Sequence, residues 1–391
     1  MRVQQLLAQT AVDMSPAHSV FTALAQTVDD DYLYSTSAPG ASLDQPIAGK
    51  LGICSNSWTD QQVSQIGGEH MSWWYNYFHW IPNASNIDFI DREGIEFVPM
   101  IDQNKVKMRK WKKCWLTGEN RFGEKMTKCD VDTLIDEIAQ TRDELGVDMR
   151  FLIGLNEPYD KNINLPDKWV EPRVAASLWG EYWIPIAEAL DLRLVSPTSI
   201  MKPDKAVWMA DFLKGCWEQR DKDVNPCKID TIEVFNIHHY TCKYNDYMNA
   251  YDVDSTHKNS YYQFLIDALT DPEWEGHADR DWDEFIRARP IWVTETSCQS
   301  DKWPEAIPQQ EQCLRMTGQK GGKWGKGSIQ ALKELDNVHR VAPFVYYSAV
   351  EWDDEVMVNH DGEWLPTGRA ILNDLDPELA DCYGSPQELN E

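Results

Sequence analysis

Two glutamates close apolar runs in this chain, and each run is typical of a buried strand. Glu157 ends the segment RFLIGLNE and is followed by Pro158, and Glu295 ends the segment IWVTE. Proline biases the preceding residue towards extended conformations, so we expect Glu157 to be held at a strand end. Two carboxylates fixed at strand ends suit glycoside cleavage, in which one protonates the leaving oxygen and the other attacks carbon or activates water. A strand-end glutamate taken alone more often caps a helix or joins an ion pair.

Further polar residues stand beside these glutamates. Asn156 directly precedes Glu157, and another apolar run ends in His238-His239-Tyr240. His238 and Tyr240 share one strand parity, so both side chains can face the same side. The alternative is a satisfied buried histidine and a packing tyrosine. No metal is predicted at this point because no third ligand is apparent, and no organic cofactor is needed.

Eight short apolar runs follow one another from Lys50 onward, and most are apolar on both faces, as in buried parallel strands. They cover residues 51–56, 71–78, 95–101, 150–157, 192–197, 232–240, 291–296 and 342–350.

Segments between these runs repeat apolar residues at three- and four-residue steps, which predicts helices. They are residues 131–146, 175–191, 206–219, 261–269 and 328–336.

Alternation of strand and helix implies a parallel sheet, and eight strands predict an α/β fold of the (β/α)8 TIM barrel type. We assign residues 50–372 to this single domain, 1–49 to an N-terminal extension and 373–391 to a C-terminal tail. A doubly wound sheet would need a glycine-rich first turn for phosphate, which LGICSNSW lacks. In a barrel the active site lies at the C-terminal ends of the strands.

The composition limits the class of partner. The 391 residues carry a net charge of −27, which argues against nucleic acid and anionic membrane surfaces. No run is long enough for a membrane-spanning helix. The 18 Trp, 15 Tyr and 11 Phe leave rings to stack on a flat neutral ligand. We expect a monomer.

Nine cysteines are many for a cytosolic chain of this size, and short loops closed by cysteines suggest disulfides and a secreted protein. Cys54 lies inside an apolar stretch and is the candidate unpaired thiol. The start of the chain lacks the apolar core of a signal peptide. Residues 114–129 and 298–313 are predicted to be loops closed by disulfides. The paired positions are Cys114 and Cys129, Cys216 and Cys227, and Cys298 and Cys313.

Several segments together resemble glycoside hydrolase family 128, in the retaining clan A of barrel glycosidases. The resemblance covers roughly residues 50–372 and rests on KLGICSN, WWYNY, Val98-Pro99-Met100, GLNEP, the His238 and Tyr240 pair, and WVTE. It implies hydrolysis of β-1,3-glucan, a polysaccharide or oligosaccharide substrate, and endo cleavage.

The resemblance also implies roles for single residues. Glu157 resembles the acid/base and Glu295 the nucleophile. Asn156 would bond the sugar 2-hydroxyl, and Tyr240 or His238 would orient Glu295. The remaining candidate substrate contacts are Asn76, Tyr346 and Trp352.

Two features differ from the family pattern. Tyrosine stands at positions 77 and 346, where the family often has tryptophan, and residues 102–130 form a longer insert. Trp111 and Trp115 in this insert are either a distal sugar platform or part of a solvated loop. The alternatives for function are another clan A enzyme, such as a β-1,4-mannanase or glucanase, and a non-catalytic glucan-binding barrel.

Overall fold

The computed structural model describes part of the chain. The chain divides into two units, Met1–Ser42 and Leu43–Glu391, and every described residue belongs to the second. The extension predicted for residues 1–49 therefore lies outside the described part. The structure describes residues 51–54, 72–77, 79, 94–101, 106–107, 113–114, 129–159, 170–241, 243–298, 313–316, 327–344, 365–368 and 382.

The strands in chain order are β1 (Gly52–Cys54), β2 (Trp73–Tyr75), β3 (Glu96–Val98), β4 (Val106–Lys107), β5 (Lys113–Cys114), β6 (Phe151–Ile153), β7 (Arg193–Ile200), β8 (Ile232–His238), β9 (Ile291–Thr296) and β10 (Val338–Pro343). A five-stranded sheet has the order β10-β9-β8-β7-β6, and a three-stranded sheet has the order β1-β2-β3. All neighbours within these two sheets are parallel. The predicted α/β class with a parallel sheet is confirmed.

Single bridges connect the edges of the two sheets. Met100 pairs in parallel with Ile153, which links β3 to β6, and Leu51 pairs in parallel with Val341, which links β1 to β10. The Ile153 amide also donates to the Pro99 carbonyl at 2.9 Å. Strands β4 and β5 form a small antiparallel hairpin inside the predicted insert.

The helices are α1 (Val131–Leu145), α2 (Pro172–Leu178), α3 (Ile184–Leu190), α4 (Pro203–Glu218), α5 (Tyr244–Tyr251), α6 (Tyr261–Leu269), α7 (Trp282–Arg287) and α8 (Ser328–Glu334). A π-helical turn at Trp179–Trp183 joins α2 to α3. Each predicted helix has a counterpart, whereas α5 and α7 were not predicted because they are short, with eight and six residues. No helix in the described ranges is long and apolar enough to cross a membrane.

Two apolar clusters lie on opposite sides of the strands. The outer cluster packs strand residues such as Val293 against the helices. The inner cluster is rich in aromatic rings from different strands, among them Trp73, Phe151 and Trp292. Burial on both faces explains why the strand sequences are continuous apolar runs.

The last strand, β10, begins earlier than the predicted run 342–350. It covers Val338–Pro343 and includes Arg340, whose charge hides the strand from an apolar-run search. Arg340 is accommodated because its guanidinium lies 4.2 Å from the centre of the Trp292 ring and forms an ion pair with buried Glu96. Residues 345–350 lie outside the described part of the chain.

Gly154 fixes the path of the chain between β6 and Glu157. A Cβ atom at this position would lie 2.8 Å from the Pro197 nitrogen and 2.8 Å from the Trp179 ring. Both distances are too short for any side chain, so only glycine allows this approach. The glycine of GLNEP therefore lets the chain after β6 lie against β7.

The cysteine predictions have mixed outcomes. The Cys216–Cys227 disulfide is present, and Cys54 is a buried free thiol, as predicted. The predicted Cys298–Cys313 pair is wrong, because Cys313 bonds to Cys382 in the C-terminal tail. Spacing along the chain cannot reveal that these two thiols are buried side by side.

Two other cysteines, Cys129 and Cys298, are also disulfide-bonded. The pairing of Cys129 with Cys114 stays a prediction.

Removing Cys313–Cys382 should destabilise the protein more than removing Cys216–Cys227. The two bonds join residues 69 and 11 positions apart. The chain-entropy model gives about 4 kcal/mol for the longer loop and about 3 kcal/mol for the shorter. Urea unfolding of the two double alanine variants measures both losses. A larger loss for the Cys216–Cys227 variant would contradict the expected order, and non-reducing peptide mapping checks the pairing itself.

Candidate active site

Glu157, His238 and Glu295 converge at the C-terminal ends of β6, β8 and β9. His238 Nδ1 lies 2.7 Å from Glu157 Oε1 and 3.3 Å from Glu295 Oε2. Because Nδ1 faces two carboxylate oxygens, we infer that it carries the ring proton and donates it. The structure thus brings together the two glutamates and the histidine that the sequence singled out.

The backbone of Glu157 differs from the prediction. Its φ is +46°, in the left-handed region, so the predicted extended conformation is wrong. Pro158 disfavours the right-handed helical region for Glu157, and the sharp turn after β6 places this residue in the left-handed one. That conformation costs about 1–2 kcal/mol for a residue with a Cβ atom. The Val170 amide donates to the Pro158 carbonyl at 2.6 Å and helps to hold the turn.

Each carboxylate oxygen of Glu295 accepts a hydrogen bond from a phenol. Tyr240 donates to Oε2, and Tyr77 donates to Oε1 at 2.6 Å. The resemblance implied that Tyr240 or His238 would orient Glu295. Tyr77 was noticed in the sequence only as a departure from the family pattern. Tyr75 and Tyr77 share one parity in the second run, which was the available signal that Tyr77 could point inward.

The electrostatics of Glu295 are set by opposing effects. Burial raises the pKa of Glu295, the nearby charge of Glu157 raises it further, and His238 with the two phenols lowers it. Burial also raises the pKa values of Tyr77 and Tyr240 well above their ordinary range, with the charge of Glu295 adding to the effect. Both phenols therefore keep their protons near neutral pH, where they can donate to the carboxylate.

The Cys54 thiol adds one more hydrogen bond to the group formed by Glu295, Tyr77 and Tyr240. The thiol donates to the Tyr77 oxygen at 3.2 Å, so Tyr77 accepts one hydrogen bond while it donates another. Burial raises the pKa of the Cys54 thiol, which keeps it a neutral donor. The unpaired cysteine thus lies behind the tyrosine that contacts Glu295.

No metal was predicted because the sequence showed no third ligand, but the structure provides one. Ligand atoms of Glu157, His238 and Glu295 lie within 4.8 Å of one another, so a third ligand does exist. In the observed arrangement, however, phenols donate to both oxygens of Glu295 and the His238 ring nitrogen faces Glu157. A cation would have to displace these donors, so the arrangement favours acid–base chemistry.

The other predicted site residues are either buried or outside the described part of the chain. Asn156 is buried beside Glu157, and Asn76 is buried directly after β2. Their contacts with substrate stay predictions. Tyr346, Trp352, Trp111 and Trp115 lie outside the described residues.

Replacing Tyr77 by Phe should raise the pKa of the Glu295 carboxyl. The substitution removes a donor that stabilises the charged form more than the neutral form, and a hydrogen bond to a charged group contributes about 1.5–3 kcal/mol. The expected increase is therefore about one pH unit or more. NMR titration of glutamate carboxyl carbons measures it, with Glu295→Gln to assign the signal.

The matched control is Tyr182→Phe, which removes a buried phenol that donates to the Cys129 carbonyl. It should leave the Glu295 titration unchanged. An unchanged titration in Tyr77→Phe would show that the Tyr77 phenol does not stabilise this carboxylate.

Comparisons with known proteins identify a family and several similar folds. A family model described as glycosyl hydrolase catalytic core matches residues 52–261. No curated protein matches the chain. Among solved structures, a family 128 subgroup II endo-β-1,3-glucanase from Sorangium cellulosum has 20% identity and a TM-score of 0.50, over 83% of this chain and 98% of that one.

Two further solved structures are similar. A subgroup II endo-β-1,3-glucanase from Pseudomonas viridiflava has 17% identity and a TM-score of 0.52, over 83% of this chain and 97% of that one. A subgroup I endo-β-1,3-glucanase from Amycolatopsis mediterranei, in complex with laminaripentaose, has 16% identity and a TM-score of 0.47, over 83% and 98%.

The first two structures share the fold of this chain, which confirms the resemblance to glycoside hydrolase family 128. The family model spans more than half of the 391 residues and includes Glu157 and His238. The chain therefore belongs to the glycosyl hydrolase catalytic core family.

Proposed function

We propose that the protein is a retaining glycoside hydrolase that cleaves β-1,3-glucosidic bonds within β-glucan chains of the laminarin type. The observation that carries the proposal is the closeness of the two carboxylates. Oxygens of Glu157 and Glu295 lie within 4.8 Å of each other. Retaining enzymes keep their carboxyl groups about 5–5.5 Å apart, whereas inverting enzymes need about 6.5–9.5 Å to admit a water.

In the first step Glu295 is the nucleophile. Its carboxylate oxygen forms a bond to the anomeric carbon while the bond from that carbon to the glycosidic oxygen breaks. Glu157 gives its proton to the departing oxygen, so the leaving sugar departs as a neutral alcohol. Tyr77 and Tyr240 hold Glu295 through hydrogen bonds and fix the direction of the attacking carboxylate.

In the second step Glu157 acts as the base. Formation of the glycosyl-enzyme removes the negative charge of Glu295. The loss of this charge lowers the proton affinity of Glu157, so Glu157 can act as the base. Glu157 takes a proton from water, the water oxygen bonds to the anomeric carbon, and Glu295 leaves as a carboxylate. Asn156 would hold the sugar 2-hydroxyl beside the nucleophile during both steps.

The two solved structures that share the fold are both described as endo-β-1,3-glucanases, and this supports a β-1,3-glucan as the substrate. The strongly acidic chain, with a net charge of −27, suits a neutral polysaccharide better than a polyanion. Tyr346 and Trp352 are proposed to stack on sugar rings.

The wider architecture belongs to the same proposal. The bridges between β3 and β6 and between β1 and β10 support closure of the eight parallel strands into a (β/α)8 barrel over residues 50–372. The disulfides support secretion, because such bonds persist in oxidising compartments. A monomer is proposed as well.

Glu157→Gln and Glu295→Gln should each abolish most hydrolysis while the protein stays folded. Loss of acid–base assistance alone lowers the rate by roughly 10²–10⁴-fold, and loss of the nucleophile removes the covalent route. Laminarin hydrolysis measures both, with Glu188→Gln, which breaks a surface ion pair with Lys228, as a control of equal charge change. Azide added to Glu295→Ala should yield an α-glycosyl azide. A Glu295 variant that kept more than half of wild-type turnover would remove this residue as nucleophile.

Hydrolysis of laminari-oligosaccharides should exceed hydrolysis of manno- and cello-oligosaccharides of equal length. Product profiles measure this preference and also distinguish endo from exo cleavage, because endo cleavage yields several oligosaccharides at once. Faster cleavage of the β-1,4-linked oligomers would favour a clan A mannanase or glucanase instead. Binding without cleavage by the wild-type protein would identify a glucan-binding barrel.

A further inference from the structure

Strand β9 contains one residue more than either neighbour just before its end. On the β8 side, Ile237 pairs with Val293 but His238 pairs with Glu295, so Thr294 has no partner. On the β10 side, the three residues from Val341 to Pro343 lie opposite the four residues from Val293 to Thr296 on β9. The two registers are independent and agree on a β-bulge, in which one extra residue bends a strand and re-aims its side chains.

This bulge decides which side of the sheet Glu295 faces. Trp292 belongs to the inner cluster and Val293 to the outer one, as regular alternation requires. Thr294 returns to the inner side, where its hydroxyl meets Asn236 of β8. If side chains continued to alternate between the two sides of the sheet, Glu295 would point outward to the helices. Instead its carboxylate accepts a hydrogen bond from Tyr77 on the inner side.

The residue after the bulge shows the same change of phase. The Thr296 hydroxyl contacts the Tyr247 phenol of α5, on the helix side of the sheet. The same phenol donates to the His239 carbonyl at 2.9 Å, and the His239 amide donates to the Glu295 carbonyl at 2.9 Å. The outer side of the bulge is therefore fixed to α5 and to the end of β8.

Thr294 holds the bulge on the inner side through two contacts. Its hydroxyl donates to Asn236 Oδ1 at 2.7 Å, and its carbonyl accepts from the Tyr75 phenol at 2.8 Å. Asn236 is itself fixed, because its Nδ2 group donates to the Thr198 hydroxyl at 2.7 Å and its amide donates to the Ser196 hydroxyl at 2.9 Å. Thr294 and Asn236 are completely buried, so water does not compete for these bonds.

We propose that Thr294 is a positioning residue, and that its hydroxyl bond to Asn236 holds the bulge that directs Glu295 towards the substrate. This inference rests on the proposed role of Glu295 as nucleophile. Loss of the bond lets the strand relax towards regular pairing, in which Glu295 moves away from Tyr77. A displacement of about 1 Å at a reacting group can lower the rate by about 10²-fold.

The test compares Thr294→Val, which keeps the shape and loses the donor, with Thr294→Ser, which keeps the donor. On laminari-oligosaccharides, Thr294→Val should lower kcat by at least about tenfold with KM within about twofold of the wild-type value. The acid limb of its pH profile should move to higher pH, because Glu295 loses phenol donors. Thr294→Ser should restore both properties.

Thr141→Val is the matched control, since Thr141 is a buried threonine whose hydroxyl donates to the Glu137 carbonyl in α1 at 2.9 Å. It should leave kcat and the pH profile unchanged. If Thr294→Val does not fold, Tyr75→Phe replaces it in the test, because this substitution removes the donor to the Thr294 carbonyl. It should also lower kcat and leave KM unchanged.

Wild-type kcat and pH profile in Thr294→Val, or equal losses in Thr294→Ser, would overturn the inference and leave the proposed function intact. If the wild-type protein cleaves no glucan, the proposed function fails by itself. A crystal structure of Thr294→Val then decides. Retention of the 2.6 Å contact between Tyr77 and Glu295 would overturn the positioning role, and loss of that contact would support it.

Discussion

A buried carboxylate is the constraint on which the described part of this molecule depends. The Glu295 side chain is only 4% exposed, and moving an ionised carboxylate out of water costs several kcal/mol unless donors replace the lost hydration. The donors come from distant parts of the sequence: Tyr77 follows β2, and His238 and Tyr240 lie at and beyond the end of β8. β2 lies in the three-stranded sheet and β8 in the five-stranded sheet, so Glu295 obtains all of these donors only because strand ends from both sheets meet around it.

The described structure contains a second buried carboxylate that is treated in the opposite way. Glu96 at the start of β3 is 1% exposed, and it forms ion pairs with Arg150 and Arg340. Two guanidinium groups cancel its charge and make it a structural tie between strands. Tyr77 and Tyr240 bond Glu295 as neutral donors that do not cancel its charge, and His238 Nδ1 lies closer to Glu157 than to Glu295. Two guanidinium groups thus surround the structural glutamate, whereas neutral phenols bond both oxygens of the glutamate proposed to be the nucleophile.

The sequence predicted the parts of the site that depend on strand ends meeting at one edge. Glu157, His238 and Glu295 were found because parallel strands align their ends, and Tyr240 because it shares the parity of His238. The left-handed backbone of Glu157, the bulge at Thr294 and the Cys313–Cys382 bond were not found. The backbone of Glu157 was mispredicted because the sharp turn after β6, and not Pro158 alone, sets its conformation. The bulge and the disulfide depend on contacts between segments far apart in the chain, and neither apolar periodicity nor cysteine spacing carries that information. Arg340 obscured the start of β10 for the same reason, since its partner Glu96 is distant in sequence.

The Cys313–Cys382 bond has a consequence for the integrity of the fold. It joins residues 69 positions apart, and β10 lies between them. This edge strand of the five-stranded sheet is thus enclosed in a covalent ring. A protease that cuts once within this ring opens it but releases neither half, because the disulfide still connects the two pieces. The strand can then remain paired with β9, so a single cut in this region nicks the protein without dismantling the sheet.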